Sequence, residues 1–353
     1  MRIFITHIVP RKDVLRYHLS VAGCNFSWNL IEGKVFDKIY SILPPYVSGS
    51  INDFDGLVYS KWRKKNRIFA RFATVLEQFM VYKQIPKGSS VWFYNMTSIN
   101  CILFILLRWF KRNVKANVIV LDYTPYKKKF SFAYWMLFLC NHAHGTICLA
   151  NSELFSVKNT ILLPGVVPVN NQDIVLQKKI KKEFLISGVL REEISMISML
   201  LCAFSKMPNC ILHICGFAND DTMIREYSGR YSNIIYHGKV SYEDYMGLLN
   251  KTSFLLSTRD IFAPENKCNF PSKVMEGLLY NRIIISTIHY PQLKGIKYFK
   301  VSAQAESFVD DIQKIISMSQ EKLLDYANQS VLVKRKFNTM TWRNSMATIE
   351  SKV

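Results

Sequence analysis

Five short apolar segments in the second half of the chain constrain its fold more than any other feature. They are Phe184-Leu-Ile-Ser187, Cys210-Ile-Leu-His-Ile-Cys215, Asn233-Ile-Ile-Tyr236, Phe254-Leu-Leu-Ser257 and Ile283-Ile-Ile-Ser286. Each is continuously apolar rather than alternating, the pattern of strands covered on both faces. Helical patterns separate them: Ile194–Phe204 repeats apolar residues at three and four, Tyr242–Leu249 follows a Ser241 cap, and Ser272–Tyr280 follows Pro271. Strands alternating with helices predict a parallel sheet joined by right-handed crossovers, a Rossmann-like domain.

The first half repeats this logic. Arg2–Val9, Val91–Tyr94, Asn117–Leu121 and Thr146–Ala150 read as strands, and Ser27–Ile31 and Ile99–Arg112 as helices. The polar, Pro/Asn-containing segment Val166–Asp173 reads as a linker, and Glu306–Val353 as C-terminal helices. The expected organisation is a domain over 1–167, a second over 168–335 and a C-terminal helix over 336–353.

With 353 residues and 49% hydrophobic content the chain has enough apolar surface for two cores, which excludes disordered and fibrous classes. The longest apolar runs, Cys101–Leu107 and Phe132–Cys140, are too short to span a bilayer. Met1–Pro10 has no signal-peptide pattern, and eight cysteines without a C-x-x-C pair read as reduced core thiols, so the expected location is cytoplasmic, with peripheral contact at the inner face of an anionic membrane through the basic N-terminal half. The net charge is 46 − 26 = +20. Met1–Gly165 holds 22 Lys+Arg and 8 Asp+Glu, leaving +6 for the remainder. Lys61–Arg71 and Lys127–Lys129 concentrate this charge and point to an anionic partner.

Ligands of parallel sheets bind beyond the carboxyl ends of the strands. There the chain places Gly188 and Arg191, then Gly216, His237-Gly238, and Ser257-Thr258-Arg259. The richest segment is Glu265–Gly277 (ENKCNFPSKVMEG). A helix beginning at Pro271 would present the amides near Ser272 and Lys273 to an anion, with the Lys273 charge beside them. Glu276, one turn on, is suited to accept two ribose hydroxyl hydrogen bonds. An ordinary capped helix with a surface Lys and Glu accounts for the same residues.

The run Phe184–Thr287 resembles the C-terminal domain of GT-B glycosyltransferases, particularly family 4 and bacterial polysaccharide-assembly relatives. The resemblance is carried by Ser187-Gly188, Ala203-Phe204, Pro208, Cys215-Gly216, Asn233 to Gly238, Asn269-Phe-Pro-Ser-Lys273 with Glu276, and Ile283 to Thr287. It implies an α/β protein of two Rossmann-like domains facing each other across a cleft. Val21-Ala-Gly23-Cys-Asn25 is similar to that family's glycine-rich loop, Leu163-Pro-Gly165 to the turn entering the linker, and Trp342 to the C-terminal helix that packs on the first domain. The resemblance implies that Arg191, Lys273 and Ser272 hold the pyrophosphate, Glu276 the ribose, and Gly238-Lys239-Val240 the base. Asp122 falls where related enzymes contact the donor sugar. The family's glutamate eight residues before Glu276 is Cys268 here, leaving Glu265, Asn266 or Asn269 to reach the sugar.

The implied activity is transfer of a sugar from a nucleotide-diphosphate sugar to a lipid-linked or polysaccharide acceptor in cell-surface glycan synthesis. No metal or cofactor is expected. An inverting enzyme needs a base, for which Asp13, His18 and Asp122 are candidates. Asp53-Phe-Asp55 matches a D-x-D string but lies in a polar loop, and His142 and His144 lack a third ligand, so neither reads as a metal site. Ile99–Arg112 and Phe132–Cys140 read as core, or as a face for an anionic membrane. A sugar-nucleotide epimerase on the same fold is an alternative. So is a basic nucleic-acid-binding protein, although nucleic acid is not the partner expected here.

Overall fold

The computed structural model describes the chain except for residues 48–50, 52–53, 65, 122, 124–127, 151–154, 158, 169–173 and 353; of 64 and 267 it describes the backbone alone. Two compact units emerge. The first comprises Met1–Val169, Cys268–Phe270 and Phe337–Val353, and the second Asn170–Lys267 and Pro271–Lys336.

The first unit holds a seven-stranded parallel sheet of β1 (Arg2–Thr6), β2 (Lys38–Ile42), β3 (Leu57–Val58), β4 (Ser90–Tyr94), β5 (Lys115–Val120), β6 (Thr146–Cys148) and β7 (Thr160–Leu162), ordered β3-β2-β1-β4-β5-β6-β7. Its helices are α1 (Val21–Glu32), α2 (Arg67–Gln84), α3 (Cys101–Ile105), continued by a π-helical turn Leu106–Phe110, and α4 (Phe132–Asn141). The central strands are buried: Ile3, Phe4, Ile5, Val91, Trp92 and Phe93 show no exposed surface. Two expectations change here. Val21–Asn25 is not a glycine-rich loop but the first turn of α1, because the Ser20 hydroxyl accepts from the Gly23 amide and caps a helix at that point. The first strand ends at Thr6, which leaves His7 at the carboxyl edge of the sheet rather than inside a strand.

The second unit holds β8 (Glu183–Val189), β9 (Ile211–Phe217), β10 (Ile234–Tyr236), β11 (Phe254–Ser257), β12 (Ile283–Ser286) and β13 (Phe299–Lys300), all parallel and ordered β10-β9-β8-β11-β12-β13. Between them run α5 (Glu192–Ser195), α6 (Ile197–Ser205), α7 (Thr222–Arg230), α8 (Tyr242–Lys251), α9 (Pro264–Cys268) and α10 (Ser272–Leu279). The single helix expected over Ile194–Phe204 is broken at Met196, whose left-handed φ of 48° ends α5 and starts α6. Phe184 stacks on Phe254 at 4.5 Å and meets Phe204 edge-on at 5.1 Å, so aromatic packing joins the two central strands to α6.

The C-terminal segment continues through α11 (Ala305–Ile316), α12 (Gln320–Ala327), α13 (Ser330–Phe337) and α14 (Thr339–Ser351). In the first unit Trp342 of α14 is fully buried, packs on Phe26 at 5.2 Å and donates its indole N–H to the Gly165 carbonyl at 2.8 Å. Glu350 adds a two-pronged pair with Arg2 and accepts from the Trp92 indole.

Both sheets reverse strand order once, between β1 and β4 in the first unit and between β8 and β11 in the second. Such switch points leave an open crevice at the carboxyl ends of the strands, where a ligand can reach backbone and loop side chains.

Candidate functional site

At the switch point of the second unit, glycine exposes the backbone. Gly188 closes β8 with φ +115°, and nothing would crowd a side chain there, so the peptide itself faces open space. Gly216, φ +145°, lies beside it on β9, and a Cβ there would run into the Gly188 carbonyl oxygen. The Gly216 amide donates to the Gly238 carbonyl at 2.8 Å, tying the β10 end to the same row.

The start of α10 faces the same edge, because it follows β11 and precedes β12 in a parallel sheet. Pro271 occupies the N-cap without any side-chain cap bond, so the first amides of α10 keep their donors for another group. Lys273 Nζ lies 2.8 Å from Glu276 Oε2 and 3.6 Å from the centre of the Tyr245 ring. Glu276 also accepts from the Tyr245 hydroxyl at 2.8 Å and from Tyr242 at 3.4 Å. Burial and the adjacent Glu276 charge together push the Tyr245 hydroxyl far above its ordinary pKa and Tyr242 up to about 12, so both stay hydrogen-bond donors. Burial raises the Cys215 thiol to about 11 against the pull of the nearby Lys273 ammonium, which connects the helix start to the end of β9.

The carboxylate of Glu276 thus takes three bonds, and about one of its four lone-pair positions remains. Two tyrosines clamp its orientation, while Lys273, 37% exposed, can swing from it to an arriving anion. Neither Tyr242 nor Tyr245 was singled out by sequence reasoning. Their signal was present in the Ser241-capped helix, where positions three apart share a face.

The other expected residues have varied surroundings. Arg191 is exposed at the N-cap of α5, and among the described residues its guanidinium has no hydrogen-bond partner within the chain. Lys239 is exposed and Val240 half-buried beyond β10, and Ser272 opens α10. Asn266 is buried, its amide group donating to the Glu193 and Asp260 carbonyls while its oxygen accepts from Arg259. The Asn269 oxygen accepts from the Tyr123 amide at 2.9 Å. Cys268 is buried within the core of the first unit, and Glu265 is exposed on α9.

In the first unit, Asp13 closes a 3-10 turn (Arg11–Asp13) and His18 is exposed with φ +52°, both in the connection between β1 and α1. Gly23 is packed under Tyr94, whose hydroxyl a Cβ would strike, which places it in the packing of α1. Asp122 and Asp53 lie outside the described residues. His144 accepts from the Ala116 amide at 2.9 Å, and the His142 ring sits 2.8 Å from the Phe138 carbonyl. His7 lies within the apolar run Arg2–Val9, which conceals it in the sequence as a strand residue. It stands at the β1/β4 switch point, 5.2 Å from the Tyr94 ring, and desolvation pulls its pKa down to about 4.

No family model matches the chain, and no curated protein matches its sequence. Solved structures do. The chain is similar over its full length to all of Anabaena Alr3699/HepE in complex with UDP, with TM-score 0.64 at 10% identity. It is similar over 99% of its length to 96% of the Candida albicans trehalose-6-phosphate phosphatase N-terminal domain, with TM-score 0.64 at 12% identity. The match to the GtfA/B complex covers 79% of this chain but only 60% of that one, with TM-score 0.55 at 14% identity. The fold is GT-B. At these identities the likeness is one of architecture, with a Rossmann-like sheet in each unit. Within this GT-B chain the glycine row and the α10 start occupy the carboxyl edge of the second sheet.

Proposed function

We propose that this GT-B chain is a glycosyltransferase that moves a sugar from a nucleotide-diphosphate sugar to a lipid-linked or polysaccharide acceptor. The observation that carries the proposal is the convergence, at one switch point, of bare glycine backbone, the uncapped start of α10 and the Lys273–Glu276 pair. In the reaction the anomeric carbon–oxygen bond to the diphosphate breaks and a bond to the acceptor oxygen forms. Negative charge collects on the leaving diphosphate, where Lys273, Arg191 and the amides at Ser272 and Lys273 would neutralise it. Once Lys273 turns from Glu276 to the diphosphate, Glu276, still held by Tyr242 and Tyr245, would have two positions to accept the ribose hydroxyls, and Gly238-Lys239-Val240 would border the base.

In an inverting course the acceptor proton passes to a base. Asp13, His18 and Asp122 are the candidate bases, and His7 stands at the first sheet's switch point. With a pKa near 4, His7 is neutral at pH 7 and suited to accept a hydrogen bond from the acceptor hydroxyl more than to hold its proton. The Anabaena neighbour, a complex with UDP, favours a uridine nucleotide among the donors to test.

Calorimetry against UDP, GDP, ADP and CMP tests the reading. One nucleoside diphosphate should bind, and Lys273→Ala should weaken it by about a hundredfold, the order expected for losing a charge-assisted contact to phosphate in a preorganised site. A folded protein silent to all four would overturn the proposal.

A further inference from the structure

Beside Ala70, Ala73 and Val81, the inward side of α2 buries three polar groups, Thr74, Glu77 and Gln78, the last two completely. Each is satisfied. Glu77 pairs with the fully buried Arg63 at 2.6 Å and accepts from the Ser60 amide, Thr74 bridges Arg63 and the Ala70 carbonyl, and Gln78 accepts from the Leu103 amide of α3. Its outward side carries the large apolar groups Ile68, Phe69, Phe72, Leu76, Phe79 and Met80, with Ile68 66% and Phe72 63% exposed. Their spacing of three and four keeps them in one stripe, along a helix of 18 residues, about 27 Å long.

Charge tells what this stripe fits. The polar groups beside it are Arg67, Arg71 and Lys83, all exposed, with Lys61 and the half-exposed Trp62 ring in the turn before, the latter packed on Phe69 at 5.8 Å. The one carboxylate of the helix, Glu77, is buried and neutralised on the opposite side. The face therefore combines apolar and aromatic side chains with cations and no anion, the composition of a helix that lies in the headgroup region of an anionic bilayer. A nucleic acid would use the cations but leave the aliphatic part of the stripe in water.

A second surface of the same unit has this character. On and before α4 the exposed rings of Phe130, Trp135 and Phe138 touch in series, at 6.3 and 5.7 Å, behind the exposed Lys128 and Lys129. Arg63 stands apart from the other cations of Lys61–Arg71: its side chain is buried, a structural cation that holds Glu77 inside and so helps turn the apolar stripe outward.

We propose that the outward face of α2 is a peripheral membrane-binding surface for anionic lipid, seated in the interface without crossing it. Among the described residues no helix is long and apolar enough to cross a membrane. The inference goes beyond the proposed transferase activity, and its test is separate, because α2 belongs to the first unit and the proposed nucleotide site is built from residues of the second.

The test is flotation of the full chain with phosphatidylcholine vesicles with and without about 30 mole per cent phosphatidylglycerol, alongside size-exclusion light scattering and titration with duplex DNA and single-stranded RNA. The chain should float with the anionic vesicles and much less with neutral ones. The Phe72→Gln/Phe79→Gln variant should lose about tenfold or more in partition while keeping its thermal midpoint and nucleotide binding, since both side chains are exposed. Arg67→Gln/Arg71→Gln should lose selectivity for the anionic lipid. Absence of vesicle binding, or equal binding by the phenylalanine variant, would overturn the inference. So would a dimer that the variant dissociates, which would assign the stripe to a second copy, or nucleic-acid binding in place of vesicle binding.

Discussion

Arg63 and Glu77 form a fully buried ion pair, Nη2 to Oε2 at 2.6 Å, beneath a helix whose apolar side chains face outward. The arginine spends its remaining donors on the Leu43 and Pro44 carbonyls and on Thr74, and the glutamate also holds the Ser60 amide. The pair therefore ties α2 to the turn before it and to the chain leaving β2. Removing either partner leaves the other charged and buried. Arg63→Ala or Glu77→Ala should each cost about 3–5 kcal/mol of stability in the first unit, whereas the double change to apolar residues of similar volume should cost less than the sum of the two. Chemical denaturation of the three variants measures this coupling.

Gly216→Ala should be destabilising out of proportion to one methyl group. Its φ of +145° suits glycine alone, and the added carbon meets a neighbouring main-chain carbonyl that is fixed in the sheet. A lower thermal midpoint together with weakened nucleoside diphosphate binding is expected. Gly188→Ala is strained by its φ of +115° but meets no atom, so it should lose less stability than Gly216→Ala.

Tyr245→Phe removes the closer of the two hydroxyls that orient Glu276 and leaves the ring under Lys273 in place. The fold should survive, and affinity for the nucleoside diphosphate should fall by about tenfold, the scale of one hydrogen bond to a charged group. Calorimetry decides this: an unchanged affinity would remove Glu276 from ribose recognition.

His7 gives the first unit a pH dependence of definite sign. Its pKa is about 4 in the folded chain against 6.5 ordinarily, so the unfolded chain takes up this proton first as the solution is acidified. The His7 contribution is fully present above pH 6.5 and declines as pH falls from there towards 4, by up to ~3 kcal/mol in all. Urea midpoints at successive pH values should follow this decline, and a His7→Gln variant should flatten it.

Trp342→Ala should open a cavity where α14 packs within the first unit and orphan the Gly165 carbonyl that the indole satisfies. A loss of about 3–5 kcal/mol follows from the size of the side chain removed. The proposed nucleotide site is built from residues of the other unit, so nucleoside diphosphate affinity measured well below the melting point should hold.

The strands of the second sheet were legible because parallel strands covered on both faces must be continuously apolar, as Phe254–Ser257 and Ile283–Ser286 are. The start of α10 was legible for a similarly local reason, since proline sets the first turn of a helix. Other features were not local. The likeness of Val21–Asn25 to a glycine-rich loop is only a sequence likeness, for Gly23 is required by the Tyr94 hydroxyl packed across it, a residue some seventy positions away. The helix over Arg67–Gln84 was hidden behind its basic beginning.

Sequence alone determined the alternation of strand and helix, hence two parallel sheets and the edges at which loops gather, because these follow from short-range periodicity and turn chemistry. It determined the excess of positive charge in the first half as well. Only the tertiary structure decided which side of α2 meets water, that Arg63 serves the interior, and that Glu276 is gripped by Tyr242 and Tyr245. Those outcomes depend on which distant groups can satisfy a buried charge, and a charge removed from water is stable only where the rest of the fold brings it a partner.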